Sequence, residues 1–132
     1  MTMSLKLDVS SFLLILGLAT CFSCSSDLDC KSFRTGEFKL GTTSDVRILR
    51  TEDLQKEYSN NPDEDFIDVY SIRWPDECTY VATVRETNRP AGHELTVGDS
   101  MLIKIIKTSG AKYEWEGHTK GDIKKGIMIK ID

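Results

Sequence analysis

The side chains in this sequence that could support catalysis or bind a metal ion are few and widely spaced. The two histidines, His93 and His118, both lie beside glycine and far from each other. No GxSxG, HExxH, GxGxxG or P-loop pattern occurs in the chain. The sequence therefore does not indicate a serine hydrolase, a zinc protease or a nucleotide-binding site of these kinds. Isolated histidines beside glycine are typical of solvated loops and turns. We therefore predict a protein that is not an enzyme, with no catalytic residue, no metal site and no cofactor.

Acidic residues cluster at two points, Asp63-Glu64-Asp65 and Asp76-Glu77. Either cluster could meet a calcium ion, but neither has the ligand spacing and terminal glutamate of a dedicated calcium loop. Two carboxylates on a barrel could also form a glycosidase site, although any chain with 21 acidic residues offers such pairs. A hydrolase that uses carboxylates such as Asp76 and Glu77 is therefore a lesser alternative.

Length and charge limit the remaining classes. The chain has 132 residues, which is the size of one domain. Its 21 acidic and 17 basic residues give a net charge of −4, which argues against a nucleic-acid partner because such partners select a basic face. Hydrophobic residues make up 39% and charged residues 29%, a balance typical of a folded globular domain rather than a disordered chain.

The first 23 residues are predicted to be a signal peptide. The apolar run from Phe12 to Ala19 is shorter than the roughly 20 residues that span a bilayer, but it fits the hydrophobic region of a secretory signal. It leads into CFSCSSD, which resembles the lipobox of bacterial lipoproteins, in which a cysteine becomes the acylated first residue. Cys24 is the predicted lipidation site, and Cys21 is the alternative.

Residues 24–31 are predicted to be a short acidic tether, followed by a single domain over residues 32–132. The tether resembles the one that carries lipoproteins of the Bacteroidetes type to the outer membrane. We therefore expect an outer-membrane lipoprotein of the cell envelope, attached to the membrane by its lipid. The two alternative locations of the domain are the periplasm and the cell surface.

Two cysteines, Cys30 and Cys78, remain once Cys21 has left with the signal and Cys24 carries lipid. An even number of cysteines in an oxidising compartment predicts a disulfide between them. This bridge would close the long loop from Cys30 to Cys78, and in the chain-entropy model a loop of that length contributes roughly 4 kcal/mol to the free energy of unfolding. A metal site is the weaker alternative, because no CxxC pair accompanies them.

Hydrophobic residues alternate with a period of two along the whole mature chain, which is typical of β-strands. The clearest pair of strands is divided by the turn Pro75-Asp76-Glu77; one face carries Tyr70, Ile72 and Trp74, then Cys78, Tyr80, Ala82 and Val84. About eight short strands joined by short turns predict an all-β fold. We expect an antiparallel meander that forms a small barrel, closed or partly open.

One segment is ambiguous. Residues 55–59 are polar and could form a weak strand, whereas TEDLQKEY has the threonine cap and early acidic residues of a short helix. A helix of eight residues would be marginal. We favour the strand.

Aromatic side chains at strand spacing are the candidate core, or the lining of a ligand pocket: Phe38, Tyr70, Trp74, Tyr80, Tyr113 and Trp115. The arginines are scattered among more numerous acids and are expected on solvated strand faces, in exposed ion pairs of little energetic value; these are Arg47, Arg50, Arg73, Arg85 and Arg89.

Two motifs together resemble a group of small flavobacterial-type lipoproteins of unknown function. They are a CKxFxTGxF start, from Cys30 to Phe38, and an IxWxxxCxY hairpin, from Ile72 to Tyr80. Some members of that group are described as DNA topoisomerase IV, an activity that a small acidic secreted domain does not support. The TGxF start also distantly resembles the first strand of lipocalin-like (calycin-like) barrels, with Phe38 at a position where a tryptophan is usual.

Taken together, these patterns predict a lipid-anchored envelope protein with a lipocalin-like barrel. We expect it to bind a small apolar ligand or an envelope protein. The alternative is a purely structural or interaction module whose barrel is filled by its own side chains.

Overall fold

The computed structural model describes residues 28–90, 92 and 94–132. The predicted signal peptide and the lipidation site at Cys24, with its alternative Cys21, lie outside the described residues, as does His93. One turn of 3₁₀ helix, Lys31–Phe33, precedes eight strands. The strands are β1 (Gly36–Leu40), β2 (Val46–Arg50), β3 (Leu54–Ser59), β4 (Ile67–Asp76), β5 (Thr79–Thr87), β6 (Ser100–Ser109), β7 (Lys112–Thr119) and β8 (Asp122–Lys130). Within these residues, no helix has the length and apolar character to cross a membrane.

The eight strands form one closed barrel in which every strand pairs with its neighbours in sequence. All pairings are antiparallel, and β1 closes the barrel by pairing with β8, where Phe38 lies opposite Lys130 and Leu40 opposite Met128. The predicted all-β meander is therefore confirmed, and the barrel is closed rather than partly open. Closure leaves no unpaired sheet edge.

Alternation of side chains decides which residues fill the barrel. In β4, Tyr70 and Ile72 are buried with Asp68, and in β5 the buried residues are Tyr80, Ala82 and Val84. This is the face that the sequence pattern predicted for the hairpin. The ambiguous polar segment is strand β3, as favoured, because it pairs with β2 on one side and with β4 on the other.

The two ends of the barrel differ. At the base, where β1 begins and β2 ends, the chain before β1 folds across the opening; we call residues 30–33 the plug. Phe33 of the plug is 1% exposed and packs edge-on against Tyr113, with ring centroids 5.0 Å apart. At the opposite end, the mouth, the chain passes from β5 to β6; we call its described residues, 88–90, 92 and 94–99, the mouth loop.

The disulfide between Cys30 and Cys78 is present, with the Cα atoms 5.2 Å apart. It joins the plug to the turn between β4 and β5 and thereby holds the plug against the base. The predicted pairing is confirmed. Residues 28–31, which the sequence assigned to the tether, lie against the barrel: Leu28 packs on the core, and the Asp29 N–H donates to Thr108 Oγ1.

His118 is not in a turn as the sequence analysis expected. It lies in β7 opposite Ile123 of β8, because the strand continues past Gly117 to Thr119. Its Nε2 is 2.7 Å from Glu116 Oε1.

Candidate functional site

The core of the barrel has two parts. Around the base pack Cys30, Phe33, Phe38, Ile48, Ile105, Tyr113 and Met128. Nearer the middle pack Tyr70, Ile72, Tyr80, Ala82, Val84 and Ile103. Trp74 and Trp115 are half-buried and contact both groups. All six predicted aromatic residues therefore lie inside the barrel or in contact with its core.

A buried arginine lies at the boundary between these two parts. Arg50 is 3% exposed. Its Nη1 donates to the backbone oxygen of Phe33 at 2.8 Å, and its Nη2 donates to the hydroxyls of Tyr80 at 3.0 Å and Tyr113 at 2.9 Å. The fourth bond runs from Nε to Gln55 Oε1 at 2.7 Å.

Neutral oxygens and ring faces stabilise this cation. Within the described part of the chain, no carboxylate lies within ion-pair distance of Arg50. The guanidinium carbon lies 4.7 Å from the ring centre of Phe38 and 4.6 Å from that of Tyr80. Such cation–π contacts strengthen when water is excluded. Burial of a charge is unfavourable unless the charge has partners. The hydrogen bonds of the Arg50 guanidinium meet this need, and they connect β2 to the plug, β5 and β7.

A single amide connects Arg50 to a carboxyl group higher in the barrel. Gln55 accepts from Arg50 through Oε1 and donates through Nε2 to Glu57 Oε1 at 2.8 Å. Because Gln55 and Glu57 are two residues apart on β3, both side chains point inward. The inner face of β3 is therefore polar, in contrast to the apolar inner faces of β5 and β6.

Burial determines the protonation of these groups. Removal from water raises the pKa of Glu57 above its ordinary value, and the nearby Asp68 raises it further. The hydrogen bond from Gln55 opposes this shift without overcoming it. Burial likewise raises the pKa of Tyr70, as does its contact with Glu57, and burial raises that of Tyr80. The tyrosines are neutral donors at any physiological pH, and Glu57 is drawn towards its neutral form.

A second carboxyl group is held by partners at the mouth. Asp68 is 4% exposed; its Oδ1 accepts from Thr87 Oγ1 at 2.7 Å, and its Oδ2 lies 2.8 Å from both Nε and Nη2 of Arg89. The Arg89 guanidinium also stacks on Phe66, 3.8 Å from the ring centre. This arrangement ties the start of the mouth loop to β4.

The space left between these groups is a cavity of about 260 Å³ in the mouth half of the barrel. Its lining residues are Leu40, Gln55, Glu57, Asp68, Tyr70, Tyr80, Arg89, Glu94, Leu95, Met101, Ile103, Trp115, Lys124 and Met128. One wall is polar and comes from β3 and β4, and the facing wall, from β6, β7 and β8, is apolar except for Lys124 at the mouth. Such a mixed lining is typical of sites for small organic molecules.

The mouth loop borders the opening of the cavity. Glu94 of this loop forms an ion pair with Lys124 of β8, and both residues line the cavity. Lys120 Nζ lies 2.8 Å from Asp99 Oδ2 at the far end of the loop. The loop is thus bound to β8 and to the β7–β8 turn, as well as to β4 through Arg89.

Sequence reasoning placed the aromatic residues correctly but missed the polar ones. The prediction that Arg50 lies on a solvated face is wrong, and Arg89 is half-buried beside Asp68 rather than in an exposed pair. A signal for Arg50 was present, since it shares a strand face with Val46 and Ile48. No comparable signal distinguishes Glu57, because its inward direction depends on the pairing of β3.

The acidic clusters considered for calcium or hydrolysis lie away from the cavity. Asp63, Glu64, Asp65, Asp76 and Glu77 are all exposed. Asp76 Oδ1 accepts from the Cys78 N–H, and Glu77 pairs with Lys31. Among the described residues, no group of three or more histidine, cysteine or acidic side chains is arranged to hold a metal ion.

No family model, no curated protein and no solved structure matches this chain.

Proposed function

We propose that the protein is a lipid-anchored component of the cell envelope that binds a small organic ligand inside its barrel. The observation that carries this proposal is the cavity of about 260 Å³, whose polar wall faces an apolar one. The alternative of a barrel filled by its own side chains fits the base half, which is packed around Arg50, but not the mouth half.

The architecture favours binding without reorganisation. The lining residues come from seven strands and the mouth loop, and the strands are held in a continuous hydrogen-bonded ring. A site whose walls are held before the ligand arrives loses little conformational entropy on binding. The cavity holds roughly nine water volumes of about 30 Å³ each, so we expect a ligand the size of one ring with a short side chain.

A panel of four small aromatic probes tests the proposal: toluene, 2-phenylethanol, 2-phenylethylamine and 3-phenylpropanoate. Saturation-transfer NMR and calorimetry should detect binding of at least one probe to the wild-type protein. Leu95→Trp, in the mouth loop at the cavity, should weaken that binding at least tenfold by filling the opening.

Val97→Trp is the matched control. Val97 lies in the same loop, is 62% exposed and does not line the cavity, so this variant should bind as the wild type does. Failure of all four probes to bind at millimolar concentration would contradict the ligand-binding role, as would equal effects of the two tryptophan variants.

Membrane attachment needs its own experiment, because Cys24 lies outside the described residues. Its support is the lipobox-like CFSCSSD sequence and the disulfide, which is typical of an oxidising compartment. Intact-mass spectrometry of the membrane fraction should show a chain that begins at Cys24 and carries acyl groups. Cys24→Ser should abolish both, whereas a full-length unmodified chain in the soluble fraction would contradict the anchor.

A further inference from the structure

The cationic side chains around the cavity already have partners. Both Nε and Nη2 of Arg89 lie 2.8 Å from Asp68 Oδ2, and Lys124 forms an ion pair with Glu94. Arg50, below the cavity floor, donates its hydrogen bonds to neutral oxygens. None of these three cations is therefore directed at an incoming anion.

Glu57 differs from the other carboxyl groups of the cavity. Among the described residues, no lysine, arginine or histidine lies within ion-pair distance of it. Its contacts are the amide of Gln55, at 2.8 Å, and the hydroxyl of Tyr70. The cavity wall thus presents one carboxyl group that has hydrogen bonds but no direct ion pair, since Arg50 and Arg89 lower its pKa only from beyond ion-pair distance.

The opposite wall suits the rest of a cationic ligand. Tyr80 and Trp115 contribute aromatic rings, and Met101 and Met128 contribute flexible thioethers. Ring faces attract cations and also pack against apolar groups, while methionine adapts to ligands of different shape. The cavity therefore combines a carboxyl group that has no direct ion pair with aromatic and apolar surface within about 260 Å³.

Given the ligand-binding role proposed above, we infer that the ligand is a small organic cation. It carries an ammonium group that pairs with the Glu57 carboxylate and a ring-sized apolar body that packs against Trp115 and the two methionines.

Protonation makes this arrangement stable both empty and filled. Burial raises the pKa of Glu57, which favours the neutral carboxyl in the empty cavity. When the ammonium group enters, Glu57 gives its proton to solvent and the resulting carboxylate pairs with the ligand. One positive charge enters and one leaves, so the cavity's net charge is unchanged.

Other titratable groups face Glu57 from the neighbouring elements. They are Arg50 on β2, Asp68 and Tyr70 on β4, and Tyr80 on β5; Arg89, Glu94 and Lys124 border the cavity mouth. Asp68 and Glu94 already have cationic partners in Arg89 and Lys124, whereas Glu57 has no direct ion pair. We therefore assign the proton that is released on amine binding to Glu57. Affinity for an amine should rise with pH while Glu57 ionises, and fall again only when the amine loses its own proton, near pH 10 for an alkylamine.

The decisive experiment compares three probes with the same ring but different charge: 2-phenylethylamine, 2-phenylethanol and 3-phenylpropanoate. The wild-type protein should bind the amine at least tenfold more tightly than the alcohol, and the carboxylate least. Glu57→Gln should remove the preference for the amine, while Glu64→Gln, at an exposed loop position, should retain it.

Calorimetry of the wild-type protein in buffers of different ionisation enthalpy supplies a readout that needs no variant. At pH values below the pKa of Glu57 in the folded protein, amine binding should release up to one proton, and alcohol binding none. If the alcohol binds and the amine binds no better, the cationic ligand is excluded although the ligand-binding role stands. If none of these three probes nor toluene binds, both proposals fail. Retention of amine preference by Glu57→Gln would also overturn the assignment.

Discussion

The indole of Trp115 lies directly over Gly126, its cross-strand partner on β8. A Cβ atom placed on Gly126 would be 2.6 Å from Cζ2 and 2.8 Å from Cε2 of the indole. Trp115 can therefore lie flat against the wall only because that position has no side chain.

Gly126→Ala should force the indole off the wall and into the cavity. Overpacking of this kind typically costs about 1–3 kcal/mol. We therefore expect urea unfolding to show a free energy of unfolding that is lower by an amount in that range. Ligand binding should weaken as well. In a Trp115→Phe background the smaller ring should tolerate the methyl group, so that a double-mutant cycle shows coupling. Equal costs of Gly126→Ala in both backgrounds would contradict the steric explanation.

Arg50 should be among the most important residues for stability. Arg50→Ala removes the donor to the Phe33 backbone oxygen, to the Gln55 amide oxygen and to the Tyr80 and Tyr113 hydroxyls, which keep only their mutual bond at 3.3 Å. An unsatisfied buried group costs about 1–3 kcal/mol. We expect this substitution to lower the free energy of unfolding by at least about 3 kcal/mol, a large effect for a single substitution. Arg50→Lys should also destabilise, because an ammonium group cannot reach all four acceptors. Arg73→Ala is the control, since Arg73 is exposed and should change stability by less than about 0.5 kcal/mol.

The disulfide should stabilise the plug and thereby the base of the barrel. Replacing Cys30 and Cys78 by serine should lower the free energy of unfolding by about 2–5 kcal/mol. Urea unfolding with and without reductant measures this effect. Reductant should reproduce the loss in the wild-type protein and leave the double-serine variant unchanged. Thiol labelling shows whether the reductant has opened the disulfide completely. An unchanged free energy of unfolding in fully reduced wild-type protein would contradict the prediction.

Glu57 should make stability depend on pH in a defined direction. Because its pKa in the folded protein is raised above the ordinary value of 4.5, the folded state binds the proton more tightly than the unfolded state. The stabilisation is fully present below pH 4.5 and is lost as the pH rises through the folded-state pKa. Relative to Glu57→Gln, the wild-type protein should therefore become less stable as the pH increases.

Urea unfolding at several pH values above and below 4.5 measures this difference. Glu64→Gln should follow the wild-type curve, because Glu64 is exposed on a loop. A constant difference between wild type and Glu57→Gln across the range would show that Glu57 titrates alike in both states.

Much of the fold was predictable because strand periodicity is local. The alternation around Tyr70, Ile72 and Tyr80 predicts the hairpin and its inward face, and the two cysteines left beside the lipidation site predict the disulfide. These signals depend on neighbouring residues or on simple counts. The weakest prediction, the strand at residues 55–59, was correct, but it required a preference between two structures that the polar sequence left open.

The composition and pattern of the chain specify an all-β meander with aromatic residues inside it, because alternation and turn residues act over a few positions. The path of the plug, the closure of β1 on β8 and the size of the cavity depend on residues distant in sequence. Arg50 is a buried cation only because Phe33, Tyr80 and Tyr113 converge on it from three other parts of the chain. Glu57 becomes a candidate ligand group for the same reason: the pairing of β3 with β2 and β4 turns its side chain towards the cavity, where it has no direct ion pair.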